Sequence, residues 1–257
     1  MKLGVCGMAD MIEGAAKNGF SFLEVSMTKS RELGRAGLVD LRKKAEDAGL
    51  TIDSAVQFFA PTVRLYGTLE EQQALEYARF NFEVAEILGC PFCVIGSGKA
   101  RAIPEGMAKE EAEEKFAAVL GKLGDISADF GISLAVEPLR YRETDLVNTL
   151  SDGIRVKRMA DRKNVGCMVD FFHFHENGEE LSEMDALLPG ELRHVHLARP
   201  NPDRCAPRME DVPVIAGWAD KLRAIGYDGT VSIEGKWDPD FDSRVEEAGR
   251  AMAVFKN

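Results

Sequence analysis

The sequence lacks a long apolar segment, has few cysteines, and has fewer basic than acidic residues. Each of these three features argues against one class of protein. Lys and Arg total 32 against 43 Asp and Glu, so a net charge of −11 repels polyanions and nucleic acid is not an expected partner. No stretch approaches the roughly 20 apolar residues that a membrane helix needs, and the N-terminus does not read as a secretory signal. Five cysteines, an odd number, do not suggest a disulfide framework. We therefore expect a cytoplasmic protein with no membrane partner.

The chain instead repeats one arrangement, in which short apolar runs alternate with longer helical patterns. Glycine follows several of these patterns, as Gly49, Gly89 and Gly131 do, where it can cap a helix in the left-handed conformation. This alternation predicts parallel strands linked by crossover helices, and eight such units predict an α/β fold of the (β/α)₈ TIM-barrel type. No linker interrupts the pattern, so we predict a single domain over residues 1–257. The eight predicted strands are residues 3–7, 20–27, 51–59, 91–98, 133–139, 165–172, 192–198 and 229–235.

Apolar and polar residues alternate with a period of two within the later strands. Such a pattern directs the apolar set towards the helices and the polar set towards the barrel axis. Each polar set ends, near the carboxyl end of its strand, in a group that can bind a metal, namely Glu137, Asp170, His196 and Glu234. Active sites of these barrels lie at that end, so we expect the four side chains to converge there.

Three carboxylates and one imidazole form a hard, oxygen-rich site. Packed together without a cation, the carboxylates would repel one another and their pKa values would rise. We therefore expect one divalent metal ion as cofactor, Mn²⁺ first, with Mg²⁺ or Co²⁺ as alternatives. The other interpretation is that all four are ordinary polar residues of the barrel mouth, held in salt bridges. Glu24 and Gln57, near the ends of the second and third strands, are expected to face the same mouth, in substrate contacts or structural hydrogen bonds.

Four segments carry a resemblance to a known family: AVEPLRYRETD (135–145), MVDFFHFHENGEE (168–180), LRHVHLA (192–198) and IGYDGTVSIEG (225–235). Together and in this order they resemble the xylose isomerase-like sugar isomerase/epimerase superfamily, and within it the D-tagatose and D-psicose 3-epimerase group. The resemblance covers essentially the whole chain. It implies a metal-dependent sugar isomerase or epimerase with a small-molecule sugar as its partner. Homo-oligomers are common in that family.

The resemblance also implies roles for individual residues. The four converging side chains correspond to the metal ligands, and Glu137 and Glu234 correspond to the catalytic pair as well. They would remove and return a proton α to the carbonyl of a ketose or ketose phosphate, through a metal-stabilised enediolate. Glu143 corresponds to a supporting or substrate-contacting glutamate, and His173 to a histidine that holds substrate oxygens.

The first chemical step does not determine the product. Epimerisation, aldose–ketose isomerisation and dehydration share it, so the alternative function is a dehydratase or lyase acting on a keto-polyol or dehydroshikimate-like substrate. A sugar-binding protein without turnover is the non-enzymatic alternative, although binding a neutral sugar does not require a buried cation. A three-zinc endonuclease on this scaffold is excluded, because the chain has four histidines and an acidic charge balance.

One segment, ARPNPDRCAPRMEDVP (198–213), departs from the family's pattern. The epimerases carry an arginine six residues after the histidine that corresponds to His196, whereas this chain has Pro202 there. Arg199 and Arg204 are therefore predicted to contact the substrate, and Arg208 is a further candidate. Arginines in this loop could also bind a phosphate, since barrels often place one near strands seven and eight.

Overall fold

A computed structural model describes residues 1–199 and 204–256, and within them eight parallel strands close into a barrel. The strands follow chain order around the barrel, and the first pairs with the eighth. The predicted TIM-barrel fold is confirmed, whereas the single domain over residues 1–257 stays a prediction. The strands are β1 (Lys2–Cys6), β2 (Phe22–Ser26), β3 (Thr51–Val56), β4 (Phe92–Ile95), β5 (Ser133–Val136), β6 (Val165–Asp170), β7 (Leu192–Leu197) and β8 (Thr230–Ile233).

The α-helices of the same residues cover the outside of the barrel, and none of them is long and apolar enough to cross a bilayer. Gly89 ends the longest one with a left-handed φ of 69°, as its position in the sequence predicts. Thr149 caps another, with Asp152 completing a reciprocal capping box. The helices are α1 (Ile12–Lys17), α2 (Met27–Glu32), α3 (Gly34–Asp47), α4 (Thr68–Leu88), α5 (Lys109–Ala128), α6 (Leu150–Ala160), α7 (Phe171–Glu176), α8 (Val212–Ala224) and α9 (Phe241–Met252).

Buried apolar side chains form two separate clusters, as the alternation along the strands predicts. The large cluster joins the outward-facing residues of the strands, such as Leu134 and Val231, to the helices. The small cluster contains Val56, Val94, Ala135 and Met168, one residue from each of β3 to β6. This small cluster lies in the barrel interior. Side chains that follow it along the strands therefore emerge at the carboxyl end.

A buried arginine holds two strand ends and a loop together at that end. Arg101 follows β4 and is 1% exposed. Its guanidinium donates to the carbonyl oxygens of Ile95 at 3.2 Å, Glu137 at 2.7 Å, Leu146 at 3.1 Å and Val147 at 3.3 Å. Burial lowers the pKa of Arg101 to about 10. The side chain thus fixes the backbone of Glu137, although nothing in the sequence singled it out.

Replacing Arg101 by Met should lower the free energy of unfolding by about 3 kcal/mol or more, because four carbonyl oxygens lose a charged donor. Urea unfolding followed by circular dichroism measures the change. Lys99→Met is the matched control, since Lys99 is an exposed neighbour. An Arg101→Met protein as stable as the Lys99→Met protein would show that the clamp contributes nothing.

A cluster of ion pairs holds α6 against the start of β7. Glu191 is buried and accepts from Arg158 Nη2 at 2.8 Å, Lys157 Nζ at 3.3 Å and the Leu188 N–H at 3.0 Å. The Arg158 hydrogen bond is the main reason that the pKa of Glu191 falls to about 2.

The stability contribution of Glu191 should therefore depend on pH. A carboxyl whose pKa is lower in the folded than in the unfolded chain stabilises the fold above its ordinary pKa, and this contribution disappears as the pH falls towards the folded-state pKa. We expect Glu191→Gln to be less stable than the wild type at pH 7, with the difference shrinking between pH 5 and pH 3. Parallel denaturation series test this, and a difference independent of pH would contradict it.

Candidate functional site

The four predicted metal-ligating side chains converge at the carboxyl end of the barrel. Asp170 is the last residue of β6 and His196 lies in β7, while Glu137 and Glu234 come directly after β5 and β8. One ligand atom from each of the four lies within 4.8 Å of the corresponding atoms of the others. Consecutive parallel strands thus bring together residues that are up to 97 positions apart, from 137 to 234.

The imidazole of His196 lies between the carboxylates. Its Nδ1 is 3.3 Å from Glu137 Oε1, 3.1 Å from Glu234 Oε2 and 4.0 Å from Asp170 Oδ2. The ring is completely buried, so these interactions take place away from bulk water. Nδ1 is therefore the ring nitrogen that belongs to the four-residue group formed by Glu137, Asp170, His196 and Glu234.

Arg204 supplies a positive charge to the same group. Its Nη2 donates to Asp170 Oδ2 at 2.7 Å and also bonds to the Glu234 carboxylate. The Nε of Arg204 donates to the Glu234 carbonyl oxygen at 3.2 Å, and the guanidinium lies 5.2 Å from the centre of the Phe172 ring. Of the predicted substrate-contacting arginines, Arg204 is the one that the fold brings to the carboxylates.

These charges set the protonation of the group. Burial acts to raise the pKa of Glu234, but Arg204 and His196 outweigh it and lower the pKa to about 2. Burial likewise acts against a charged His196, but Glu24 and Glu234 raise its pKa well above the ordinary value. Glu234 is therefore a carboxylate at neutral pH.

The donor set fits a divalent cation. Three carboxylates and one imidazole nitrogen are ligands that Mn²⁺, Mg²⁺ and Co²⁺ accept, and their ligand atoms are close enough to share one ion. The Arg204 guanidinium already bridges Asp170 and Glu234, which shows that this position attracts a cation. These side chains could therefore hold one divalent ion at the mouth of the barrel.

A cavity of about 400 Å³ opens beside the group. Glu143 and His173, the two predicted substrate contacts, both line it, and Gln57 does so as expected. Glu143 accepts from Arg140 Nε at 2.7 Å. His173 is 1% exposed, and neither of its ring nitrogens has a hydrogen-bond partner among the described residues. Nε2 of His173 lies 3.5 Å from Asp170 Oδ2, so the ring stands between the carboxylates and the cavity.

The structure does not bring Arg199 to this cavity. Its guanidinium pairs with Glu210 at 2.7 Å and Asp211 at 3.2 Å, and it lines a separate cavity of about 230 Å³ between β7 and α8. The predicted substrate contact of Arg199 therefore finds no geometric support here, because two carboxylates of the same loop bind the side chain. Arg208 does not line the cavity beside the carboxylates either, and Pro202 lies outside the described residues.

Glu24 does not line the cavity, and of its two expected roles, substrate contact and structural hydrogen bonding, the structure shows the second. It is 0% exposed and lies beneath His196, inside the barrel, with Oε2 3.0 Å from His196 Nε2. Alternation shows that Glu24 points to the axis, but it does not give the height of a residue along that axis. The pairing of β2 with β3 shifts between Leu23 and Glu24, and the sequence carries no signal for this irregularity.

A closed barrel of eight parallel strands with surrounding helices is a TIM barrel, and active sites of TIM barrels lie at the carboxyl ends of the strands. The cluster of Glu137, Asp170, His196 and Glu234 lies at that end. The chain matches the xylose isomerase-like TIM barrel family over residues 12–257 and belongs to that family. The resemblance drawn from the sequence is thereby confirmed.

Curated relatives include epimerases and isomerases. The D-psicose 3-epimerase of Agrobacterium fabrum is 28% identical over 232 residues, which cover 87% of this chain and 77% of that protein. The 2-oxo-tetronate isomerase of Haemophilus influenzae is 31% identical over 156 residues, which cover 60% of this chain and 58% of that protein. A crystal structure of D-psicose 3-epimerase in the presence of D-fructose has a TM-score of 0.84, with 22% identity and full coverage of both chains, and it shows the same fold.

Gly96 has no side chain, and the Glu137 carboxylate occupies the space where a side chain at position 96 would begin. A Cβ built on Gly96 would overlap Glu137 Oε2. We expect Gly96→Ala to displace this carboxylate and to weaken Mn²⁺ binding about tenfold or more, as loss of ligand support commonly does. Isothermal titration calorimetry measures the affinity.

Gly217→Ala is the matched control, because a Cβ on Gly217, in α8, meets no atom within 4 Å. It should bind Mn²⁺ like the wild type. Equal affinities for all three proteins would mean that Glu137 does not take part in ion binding in this position.

Proposed function

We propose that this chain is a divalent-metal-dependent sugar isomerase or epimerase that removes a proton α to the carbonyl of a ketose or ketose phosphate. The observation that carries the proposal is the convergence of Glu137, Asp170, His196 and Glu234 within 4.8 Å beside a cavity of about 400 Å³. Family membership and the named activities of the relatives support the same class of reaction.

Glu137 and Glu234 are the proposed catalytic pair. Both line the cavity, and they approach it from β5 and β8, on either side of the β7 imidazole. One carboxylate oxygen takes the proton as the C–H bond breaks, while the electron pair moves towards the carbonyl oxygen. The opposite carboxyl, in its protonated form, then returns a proton to the same carbon, which gives epimerisation. For isomerisation the proton is added to the former carbonyl carbon instead, while the hydroxyl group on the α-carbon passes its proton to the former carbonyl oxygen and becomes the new carbonyl.

A divalent ion bound by the four side chains would supply Lewis-acid stabilisation of the negative charge that develops on the substrate oxygens. Asp170 suits a purely ligating role, because its side chain is completely buried and it does not line the cavity. Its Oδ1 accepts from the Phe172 N–H at 2.8 Å, which fixes the orientation of the carboxylate.

The remaining polar groups of the cavity are proposed to orient the sugar. His173 lines the cavity, and its ring nitrogens, which make no hydrogen bond with the described residues, suit substrate hydroxyl groups. Arg204 places a guanidinium between the carboxylates and the cavity, where it can donate to a substrate oxygen. Glu143 lines the same cavity and is oriented by its ion pair with Arg140. The cytoplasmic location, a homo-oligomer and the lack of a nucleic-acid partner stay predictions.

Solvent deuterium uptake tests the proposed reaction. The Mn²⁺-loaded protein is incubated in D₂O with a panel of ketoses, ketose phosphates and keto-polyols, and the sugars are analysed by mass spectrometry. We expect exchange at one carbon of a panel member, and we expect a chelator to abolish it. Glu137→Gln and Glu234→Gln should each lower the exchange rate by about 10²- to 10⁴-fold, because an amide cannot take the proton.

Glu210→Gln is the control, since Glu210 is an exposed carboxylate paired with Arg199 outside this cavity. It should exchange at the wild-type rate. A Glu234→Gln protein with undiminished exchange would refute the base role of Glu234. A product that has lost a β-hydroxyl and gained ultraviolet absorbance would assign the chain to the dehydratases instead.

A further inference from the structure

A buried polar cluster lies inside the barrel, directly beneath the four-residue group. Glu24 of β2 is its centre, and His194, His196, Cys6 and Ser232 surround it. Glu24, His194, His196 and Ser232 are all 0% exposed. A carboxylate that is buried in this way loses its hydration, so strong contacts with neighbouring groups must compensate for the free-energy cost of burying its charge.

A single oxygen of Glu24 receives these contacts. Oε2 lies 3.0 Å from His196 Nε2 and 3.1 Å from His194 Nε2, and the Cys6 thiol donates to it at 3.1 Å. The Ser232 hydroxyl donates to the same oxygen, whereas Oε1 has no hydrogen-bond partner among the described residues. The carboxylate is therefore oriented with Oε2 towards the imidazole rings.

The two nitrogens of His196 face opposite surroundings. Nε2 points down to Glu24, and Nδ1 points up to Glu137 and Glu234. A carboxylate accepts hydrogen bonds and donates none, so Nε2 next to Oε2 must carry a hydrogen. An imidazole that binds a metal ion must be neutral, and a hydrogen on Nε2 then leaves the lone pair on Nδ1, which is the nitrogen among the carboxylates.

We propose that Glu24 is a positioning residue for the metal site: it holds the Nε2–H of His196, so that the lone pair of Nδ1 is directed at the ion. This inference rests on the proposed function, because it assigns the partner of one of the proposed ligands. A carboxylate that holds the outer nitrogen of a ligating histidine fixes the orientation of the ring and increases its basicity.

His194 supports Glu24 from the side opposite to the cavity. Its Nε2 lies 3.1 Å from Glu24 Oε2 and donates to it, because the carboxylate can only accept, while its Nδ1 lies 2.7 Å from the Thr230 hydroxyl. The rings of His194 and His196 meet edge to face, with their centres 4.9 Å apart. Residues of β2, β7 and β8 thus lock the ring of His196 from below, in a place that substrate cannot reach.

The test combines Mn²⁺ affinity with ¹⁵N NMR of the histidine rings in the full-length protein. The chain has four histidines, so the spectrum is simple. In the wild type saturated with Zn²⁺, which is diamagnetic, we expect a hydrogen on Nε2 of His196 and a metal-dependent shift at Nδ1. Glu24→Gln should weaken Mn²⁺ binding about 10- to 100-fold and should allow both tautomers of His196 to be populated.

Asp53→Asn is the matched control, since it makes the same chemical change in β3, at a carboxylate paired with Lys2 at 3.2 Å. It should bind Mn²⁺ like the wild type. Equal Mn²⁺ affinity in folded Glu24→Gln and wild type would overturn the proposal, and so would a Zn²⁺-dependent shift at Nε2 instead of Nδ1. The second result needs no variant, so it decides the matter even if Glu24→Gln does not fold. Tight Mn²⁺ binding without deuterium exchange would contradict the proposed reaction but not the role of Glu24.

Discussion

Electrostatic repulsion among Glu137, Asp170 and Glu234 is the constraint on which the rest of the barrel mouth depends. Parallel strands force these carboxylates together, and their ligand atoms lie within 4.8 Å of one another and of His196. Positive charge must therefore reach the same place. Arg204 provides it directly, by bridging Asp170 and Glu234. The chain as a whole carries an excess of acidic residues, so this local balance is achieved by placement and not by composition.

The surroundings of the site hold its parts from three directions. From the side, Arg101 binds the backbone carbonyl of Glu137 and joins it to the preceding strand. From below, Glu24 binds Nε2 of His196 inside the barrel. At the end of β6, the Phe172 N–H binds Asp170. Each of these contacts is buried, so the geometry of the site is set by the scaffold itself.

Much of the site could be predicted because strand periodicity is a local property. Alternation in β5 to β8 identified the residues that face the axis, and the parallel arrangement brought their ends together, as Asp170 and Glu234 show. The partners of these residues could not be predicted, because they depend on distances across the fold. Arg101 finds its acceptors in a loop 45 positions away, at Leu146. In the 198–213 segment no periodicity distinguishes Arg204, which reaches the carboxylates, from Arg199, which pairs with its own loop.

Part of the cavity wall comes from strands that do not contribute to the four-residue group, so ligand selectivity can change separately from the ionisable residues. The four-residue group comes from β5 to β8, whereas Thr28, Gln57 and Phe59, which line the cavity, follow β2 and β3. Changes at these three positions can remodel the space for a ligand without touching the ionisable group. Altered selectivity could therefore be sought by randomising the segments after β2 and β3 while keeping the residues of β5 to β8 unchanged. The cavity would then change in shape, and the ionisable residues would stay in place.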